Sequence, residues 1–217
     1  MDTRLRWNIA QFAELNWWKN YLKKRDVTEY IEYKVDYWEG ILKECSPEIS
    51  IKENLSVLDA GCGPAGIFMV CTNQQVLAID PLINEYEKYI PHYRKETYPN
   101  VKFVNSSIED FSSDTQFDIV FCMNAINHVN QIDDAYEVIC NMVKPGGKLV
   151  ITIDAHNYPL FKKIFKLLPG DVLHPHQFDI DEYTMFITKR NFKVEKQKLI
   201  KKEFFFNHYL QIASKPF

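Results

Sequence analysis

Five short, uninterrupted apolar runs, separated by helix-length stretches, dominate the middle of this chain. They span residues 55–59, 75–80, 101–105, 117–122 and 147–154 and recur about every 20 residues. This rhythm is typical of βαβ units, in which the strands lie parallel and helices cover both faces of the sheet. Strands buried on both faces are continuously apolar, as these runs are. The sequence therefore predicts an α/β protein with a doubly wound, Rossmann-like sheet.

The ends of the chain carry different patterns. Residues 5–45 predict two helices, each with an apolar stripe at helical spacing. The stripes comprise Ile9, Phe12, Ala13, Trp17 and Tyr21 in the first helix and Val27, Ile31, Val35, Trp38 and Leu42 in the second. All four tryptophans lie in this segment. Two interpretations remain open: packing against the main domain, or a cap whose Trp17 and Trp38 line a substrate pocket.

The segment after Asp154 predicts an amphipathic stretch over 160–168, a loop over 169–178 and a helix over 180–190. Two further strands are expected at 192–200 and 206–215. The link between them is too short for a parallel crossover, so they should pair as an antiparallel hairpin.

Charge and cysteine content argue against several classes of protein. The 217 residues include 26 basic and 29 acidic side chains, without the basic excess that binding to nucleic acid requires. The five cysteines are scattered and odd in number, which favours neither a disulfide framework nor a zinc site and fits a reducing cytoplasm. Neither an export signal nor a membrane-spanning run is expected.

A glycine-rich loop follows the first strand in the sequence VLDAGCGPAG. Gly61, Gly63 and Gly66 lie between that strand and a short predicted helix at 67–71, where the backbone can approach an anionic ligand closely. This spacing also satisfies the dinucleotide fingerprint. Asp59 precedes the first glycine by two positions, where a carboxylate would repel a pyrophosphate and attract an amino group or a sulfonium.

Asp80 ends the second strand, 21 residues after Asp59. At this position an acidic side chain can accept hydrogen bonds from both ribose hydroxyls. Each aspartate alone could be an ordinary strand-end residue. Their combination with the glycine loop predicts a site for an adenosine-containing cofactor.

These residues resemble the first motif of the class I S-adenosylmethionine-dependent methyltransferases, and the resemblance extends over roughly residues 54–154. It implies a seven-stranded sheet ending in an antiparallel hairpin, and S-adenosyl-L-methionine as the cofactor. It further implies that Asp59, Gly61 and Gly63 hold the methionine moiety and Asp80 the ribose. Cys62, Pro81, Ile108, Asn124 and Ala125 would complete the cofactor site.

Two features depart from the family pattern. Ser107 stands where many members carry an acidic residue that contacts the adenine amine. Ala65 replaces a glycine of the loop, and Pro64 removes one backbone donor from it. A loop with these residues would offer fewer contacts to the cofactor.

His128 is the candidate catalytic residue. It follows the fourth strand, at the carboxyl edge of the sheet, where open α/β folds place their ligands. Hydroxyl, carbon and protonated amine acceptors must lose a proton during methyl transfer, and a histidine is the common base. The alternative is a histidine that only shapes the pocket.

The region from 160 to 178 offers further candidates. His174 and His176 flank Pro175, but no further histidine or cysteine lies near enough to predict a metal site. They could instead belong to a lid over the substrate or to a plain surface loop. The amphipathic stretch at 160–168 is short for membrane-surface binding and is expected to help cap the active site.

The sequence thus predicts one methyltransferase domain over residues 1–217. Its parts would be a helical N-terminal cap (1–47), a cofactor-binding core (54–154) and a lid segment with the C-terminal hairpin (155–217). The expected acceptor is a small molecule, such as a secondary metabolite, a lipid or a sugar derivative. The alternatives are a non-catalytic binding or regulatory module with the same fold and an NAD-dependent oxidoreductase.

Overall fold

A seven-stranded sheet forms the centre of the molecule in the computed structural model, which describes residues 3–157, 176 and 178–217. The strands are β1 (Ser56–Ala60), β2 (Gln75–Asp80), β3 (Val101–Asn105), β4 (Phe117–Met123), β5 (Val143–His156), β6 (Lys193–Lys202) and β7 (Phe206–Ser214). Their order across the sheet is β3-β2-β1-β4-β5-β7-β6. The first five strands are parallel, and β7 runs antiparallel to both β5 and β6. The predicted fold class is confirmed, including the C-terminal hairpin.

Five helices accompany the sheet in the described part of the chain. They are α1 (Thr3–Lys23), α2 (Val27–Glu44), α3 (Ile83–Tyr89), α4 (Ile132–Asn141) and α5 (Ile180–Thr188). Asp26 caps α2 by accepting from the backbone N–H groups of Thr28 and Glu29 at 2.8 and 3.0 Å. A capping box between Asp179 and Glu182 begins α5. Within these helices, none has the length and apolarity that crossing a bilayer requires.

The two faces of the sheet are buried by different helices. On one face, Val57, Phe121, Val150 and Leu210 share a cluster with Trp38 of α2. On the other face the apolar residues of α4 and α5 cover Leu58, Val120, Leu149 and Ala213. Because side chains alternate along each strand, neighbouring residues of one strand contribute to opposite clusters.

The helix predicted after the glycine loop is a single 3-10 turn, Ile67–Val70. The last parallel strand is longer than predicted, since β5 begins at Val143 rather than at residue 147. Its register with β4 shifts between Phe117 and Ile119, which accommodates the extra residues at 144–147. The amphipathic stretch at 160–168 lies outside the described residues.

The apolar stripe predicted for the first helix is only partly correct: Ala13 and Tyr21 are half-buried, and Tyr21 packs against the core. Ile9, Phe12 and Trp17 are exposed by 42, 69 and 51 %, whereas Ala10 and Leu22 are buried. Helical spacing identifies neighbours on one face but cannot tell which face meets the protein when apolar residues occur all around the helix. The second stripe is largely correct: Trp38 is buried and only Val27, at its start, is exposed.

Candidate active site

The order of the strands reverses between β1 and β4, and the loops that follow these two strands meet at the carboxyl edge of the sheet. Such a switch point is where open α/β sheets bind their ligands. A Cβ atom added to Gly61 would collide with the Cβ of Ala125 and lie 3.5 Å from Cδ1 of Ile108. The structure therefore brings together three of the predicted cofactor residues, one from each of three loops.

The glycine loop has a strained backbone that leaves open space on one side. Gly61 and Gly63 have φ angles of +74° and +58°, in the left-handed region that favours glycine. The amides of Gly61 and Cys62 both donate to the carbonyl of Ile79, at 2.8 and 3.0 Å. No atom lies within 4 Å of a Cβ built on Gly63, so a ligand can approach the backbone at this point. The Cys62 side chain, in contrast, is buried in the core.

Asp59, the penultimate residue of β1, lies beside this loop and is completely buried. Its Oδ2 accepts from the amide of Phe68 at 3.1 Å, and a Cβ on Gly66 would approach that oxygen to 2.6 Å. Its Oδ1 is buried and finds no hydrogen-bond partner in the described structure. Burial raises the pKa of Asp59 to about 7, and the nearby Asp80 adds to the effect. A buried carboxylate oxygen without a donor is suited to accept from a cationic ligand.

The charge of Asp59 acts on Lys34 of α2, although nothing in the sequence pattern distinguishes this lysine from the others. Burial lowers its pKa to about 8, and the charge of Asp59 acts in the opposite direction. Its Nζ lies 4.5 Å from the centre of the Trp38 ring. Trp38 itself donates from Nε1 to the carbonyl of Ala65 at 2.9 Å, which fastens α2 to the glycine loop. Lys34 can be recognised as a residue of the site only from the packing of α2 on the glycine loop.

Two acidic side chains, Asp80 and Glu14, lie at the end of β2. Asp80 accepts from the amide of Gly63 at 2.9 Å through Oδ2 and from the amide of Leu82 at 2.9 Å through Oδ1. Glu14 of α1 accepts from the hydroxyl of Tyr86 at 3.4 Å. Burial raises the pKa of Asp80 to about 6 and that of Glu14 to about 7, and the charge of Asp80 contributes to the latter. Glu14 was not predicted from the sequence, because it lies on a helix 66 positions before Asp80.

The loop after β3 is held by its own side chains. Ser107 donates to Oδ2 of Asp110 at 2.7 Å and accepts from the Asp110 amide at 3.1 Å. Glu109, which no sequence motif singles out, accepts from the amides of Asn130 and Gln131 at 2.6 and 3.1 Å. The loops after β3 and β4 are therefore joined, with Ile108 buried between them.

The loop after β4 carries Asn124, Ala125 and His128. Asn124 is exposed, has a φ angle of +53° and donates through its amide to Oγ1 of Thr152 at 2.8 Å. Next to His128, the side chain of Asn127 donates to the carbonyl of Asp154 at 2.9 Å. His128 is half-buried, and its amide donates to the carbonyl of Ala125 at 3.0 Å. This places His128 on a loop fixed between β4 and β5. Pro81, the remaining predicted residue, is half-buried directly after Asp80.

The other histidine candidates have a different setting. His176 lies 2.7 Å from the carbonyl of Val129 through Nε2, so that nitrogen donates to the carbonyl. Burial lowers the pKa of His176. His174 lies outside the described residues, and within them no three side chains are grouped as metal ligands.

A doubly wound sheet with a glycine loop at its switch point and an acid at the end of each of its first two strands defines a nucleotide-cofactor-binding α/β domain. A family model of methyltransferase domains matches residues 51–198, which is most of the chain. The chain belongs to this family, the class I S-adenosylmethionine-dependent methyltransferases.

Curated relatives and solved structures agree with this assignment. The ubiquinone biosynthesis O-methyltransferase of Rickettsia akari is 33 % identical over 100 residues, which cover 45 % of this chain and 39 % of the relative. The chain thus spans less than half the length of that relative. YcgJ of Bacillus subtilis superposes with a TM-score of 0.67 at 13 % identity, covering 84 % of this chain and 99 % of YcgJ. Phosphoethanolamine N-methyltransferase 2 of Haemonchus contortus, solved with S-adenosyl-L-methionine, gives a TM-score of 0.67 at 17 % identity, covering 84 and 53 %.

Proposed function

We propose that this protein transfers the methyl group of S-adenosyl-L-methionine to a hydroxyl group of a small molecule. The observation that carries the proposal is the buried Asp59 beside a glycine loop that is open at Gly63: its Oδ1 has no hydrogen-bond partner in the described structure, and its charge acts on Lys34. These groups suit a ligand end that carries an amino group and a carboxylate together. When bound, the cofactor supplies an activated methyl group on a sulfonium.

The methionine end of the cofactor requires one anionic and one cationic partner. Asp59 accepts from the ammonium, and Lys34 of α2 pairs with the carboxylate. Gly61 and Gly63 allow the ligand to lie close to the backbone, because no side chain stands above Gly63. Asp59 is buried and Lys34 is half-buried, so their interactions with the ligand are less screened by water than those of exposed groups.

The adenosine end requires hydrogen-bond acceptors for the ribose and an apolar slot for the base. Asp80 is the proposed acceptor for the ribose hydroxyls, with Glu14 of α1 as a second acidic group at the same place. Ile108 and Ala125 form the slot beside Gly61. Ser107 is half-buried at its edge. Cys62, Pro81 and Asn124 support the loops that carry these groups.

A phenolic hydroxyl on a small aromatic molecule is the proposed acceptor. The curated relatives are named O-methyltransferases, and the helix that covers the site presents Tyr37 and Trp38 toward the sheet. Methyl transfer is an in-line displacement, so the protein mainly has to hold the two reactants together and exclude water. Nucleic acid is not proposed as a partner, because the chain has no basic excess.

His128, the candidate base from the sequence, is proposed to belong to the acceptor side of the site. Its loop is bonded through Asn127 to the backbone of β5. This setting suits a histidine that shapes the pocket without moving a proton.

A reducing compartment, the cytoplasm, is proposed for the protein. All five cysteines are buried free thiols. Burial raises the pKa of each of them, so none is held as a reactive thiolate.

Calorimetric titration with S-adenosylhomocysteine, 5′-methylthioadenosine and NAD tests the cofactor site. Methylthioadenosine lacks the amino-acid end, so its binding reports on the adenosine contacts alone. Lys34→Met should weaken the binding of S-adenosylhomocysteine by about ten- to hundredfold, the value of a charge-assisted hydrogen bond, and leave methylthioadenosine unaffected. Lys43→Met, on an exposed lysine of the same helix, is the matched control and should change neither affinity.

Three results would count against this function. Binding of NAD in place of S-adenosylhomocysteine would indicate an oxidoreductase, and binding of neither would favour a non-catalytic module. If Lys34→Met lowered the affinity for S-adenosylhomocysteine and for methylthioadenosine equally, Lys34 would not be the partner of the ligand carboxylate.

A further inference from the structure

A histidine and an aspartate form a bonded pair at the carboxyl edge of the sheet, away from the glycine loop. Asp154 of β5 and His208 of β7 stand directly opposite each other in the antiparallel ladder. Nδ1 of His208 lies 2.7 Å from Oδ1 of Asp154. Since a carboxylate only accepts, Nδ1 carries the proton, and in the neutral ring Nε2 then has a free lone pair.

The second ring nitrogen of His208 has no partner. Nε2 is buried and makes no hydrogen bond in the described structure. Leaving a buried polar atom without a partner costs about 1–3 kcal/mol, so such atoms are rare unless a ligand completes them. The Asp154 side chain is 35 % exposed, so solvent reaches the carboxylate side of the pair.

The pair lies on the same face of the sheet as the proposed methionine site. Side chains alternate along strands, so Asp59 shares a face with Val57, Asp154 with Val150, and His208 with Leu210. The three apolar residues belong to one cluster, the cluster that α2 covers. Three strand spacings separate β1 from β7, about 14 Å in total.

One helix spans both sites. The charge of Asp59 acts on Lys34 of α2, and one turn further along the helix the charge of Asp154 acts on Tyr37. Burial is the main cause of the raised pKa of Tyr37, and the negative charge of Asp154 contributes. The same helix thus carries one residue coupled to the proposed cofactor contact and one coupled to the Asp154–His208 pair.

We propose that His208 is the general base that removes the proton from the acceptor hydroxyl, and that Asp154 is its positioning residue. This inference rests on the proposed function. In the step, the acceptor O–H bond breaks and its proton moves to Nε2 of His208. The acceptor oxygen forms a bond to the methyl carbon, and the electron pair of the breaking carbon–sulfur bond stays on sulfur. The proton leaves His208 to water, so the products are a methyl ether, S-adenosylhomocysteine and one proton.

Other titratable groups surround the pair and enter its pH dependence. They are Tyr33 and Tyr37 of α2, His156 of β5, Tyr183 of α5, Lys201 of β6 and Glu203, which pairs with Lys201. In the described structure, only Asp154 is hydrogen-bonded to the imidazole of His208. The carboxylate therefore sets the tautomer of the ring and stabilises the imidazolium that forms.

The tautomer can be tested without cofactor or acceptor. Long-range ¹H–¹⁵N correlation spectra of the labelled chain, with His208→Gln to assign the signal, should show protonated Nδ1 and unprotonated Nε2 at about pH 8. Asp154→Asn should change the proportion of the two neutral tautomers of His208. A neutral ring that carries its proton on Nε2 would overturn the inference.

Two acceptors of different acidity test the chemistry: catechol, which must lose a proton, and 4-nitrocatechol, which is already ionised at about pH 8. His208→Gln should lower kcat/KM for catechol by about 10²–10⁴-fold, the usual contribution of a general base, and that for 4-nitrocatechol by less than tenfold. Asp154→Asn should also lower kcat/KM for catechol more than kcat/KM for 4-nitrocatechol. His92→Gln changes a histidine that packs on Tyr30 and should alter neither rate.

The remaining outcomes separate the two proposals. If His208→Gln slows both acceptors equally, or neither, the base is not His208, and His128→Gln should then show the acidity-dependent loss. If neither catechol is methylated, the phenolic acceptor and the role of His208 are both wrong. In each case the calorimetric affinity for S-adenosylhomocysteine shows separately whether the cofactor assignment stands.

Discussion

Three glycines in one loop are required for three different physical reasons. Gly61 combines a positive φ angle with a side that packs against Ala125, so it tolerates no side chain. Gly63 has a positive φ angle but open space beside it, which is the room that a ligand would use. Gly66 has an extended backbone and is required because a Cβ would press on Oδ2 of Asp59. At the scale of single residues, the same spacing pattern thus encodes turn geometry, ligand access and packing.

Gly61→Ala is predicted to damage both the fold and the cofactor site. The left-handed backbone alone costs an alanine about 1–2 kcal/mol, and the collision with Ala125 adds to this cost. We expect a lower melting temperature and at least a tenfold loss of affinity for S-adenosylhomocysteine, measured by thermal shift and calorimetry.

Gly40→Ala provides the control for this substitution. Gly40 lies inside α2 with nothing within 4 Å of its Cβ position, and alanine is the better helix former by about 1 kcal/mol. This variant should be as stable as the wild type or more stable, with unchanged affinity. Wild-type affinity in Gly61→Ala would show that the loop does not hold the ligand.

At the scale of elements, α2 connects the parts of the site. Its Asp26 cap fixes where the helix begins, and its apolar face packs on the sheet through Tyr30, Trp38 and Ile41. From this position it presents Lys34 to Asp59 and holds the glycine loop through Trp38. A helix outside the βαβ core therefore completes the proposed cofactor site.

Trp38→Phe is predicted to loosen this connection. The substitution keeps an aromatic ring but leaves the carbonyl of Ala65 without its donor, at a cost of about 1–3 kcal/mol. Chemical denaturation should report this loss, and the affinity for S-adenosylhomocysteine should fall with it. Trp17→Phe is the matched control, since Trp17 is half-exposed and its replacement should change stability by less than about 0.5 kcal/mol. Equal effects of the two substitutions would contradict the role given to Trp38.

At the scale of the whole molecule, the buried carboxyl groups of the site lower the stability of the cofactor-free protein when they ionise. Asp59, Asp80 and Glu14 have pKa values raised to about 7, about 6 and about 7, chiefly by burial. A carboxyl group whose pKa is higher in the folded chain binds more protons there than in the unfolded chain. These groups therefore make the cofactor-free protein less stable as the pH rises from about 4 to about 7. The histidines His92 and His176, whose pKa values burial lowers, act in the opposite direction.

Asp59→Asn isolates this contribution. The variant cannot ionise at this position, so its stability should exceed that of the wild type at about pH 8 and approach it at about pH 5. Melting temperatures across this pH range measure the difference. The same variant should lose affinity for S-adenosylhomocysteine, because the acceptor for the ammonium is weakened. A pH-independent difference in stability would show that Asp59 is not the titrating group.

The sequence by itself determined the sheet and the place of the site along the chain. Continuous apolar runs specify buried parallel strands, and a glycine loop after the first strand specifies a close approach of the backbone, because both patterns act over a few neighbouring residues. The short link between β6 and β7 specified their antiparallel hairpin, because it too is a local feature of the sequence. The sequence could not predict which face of α1 packs against the protein, since apolar residues occur around the whole helix.

The tertiary structure alone decided which distant side chains meet. Glu14 reaches the end of β2 and Lys34 reaches Asp59 because two helices pack across the sheet. His208 meets Asp154 because β7 pairs with β5 in one particular register, and a shift by one residue would turn the histidine to the opposite face. Local patterns fix the conformation of the backbone and the buried side of each strand. The partner of a buried charge depends on the docking of elements that lie far apart in the chain.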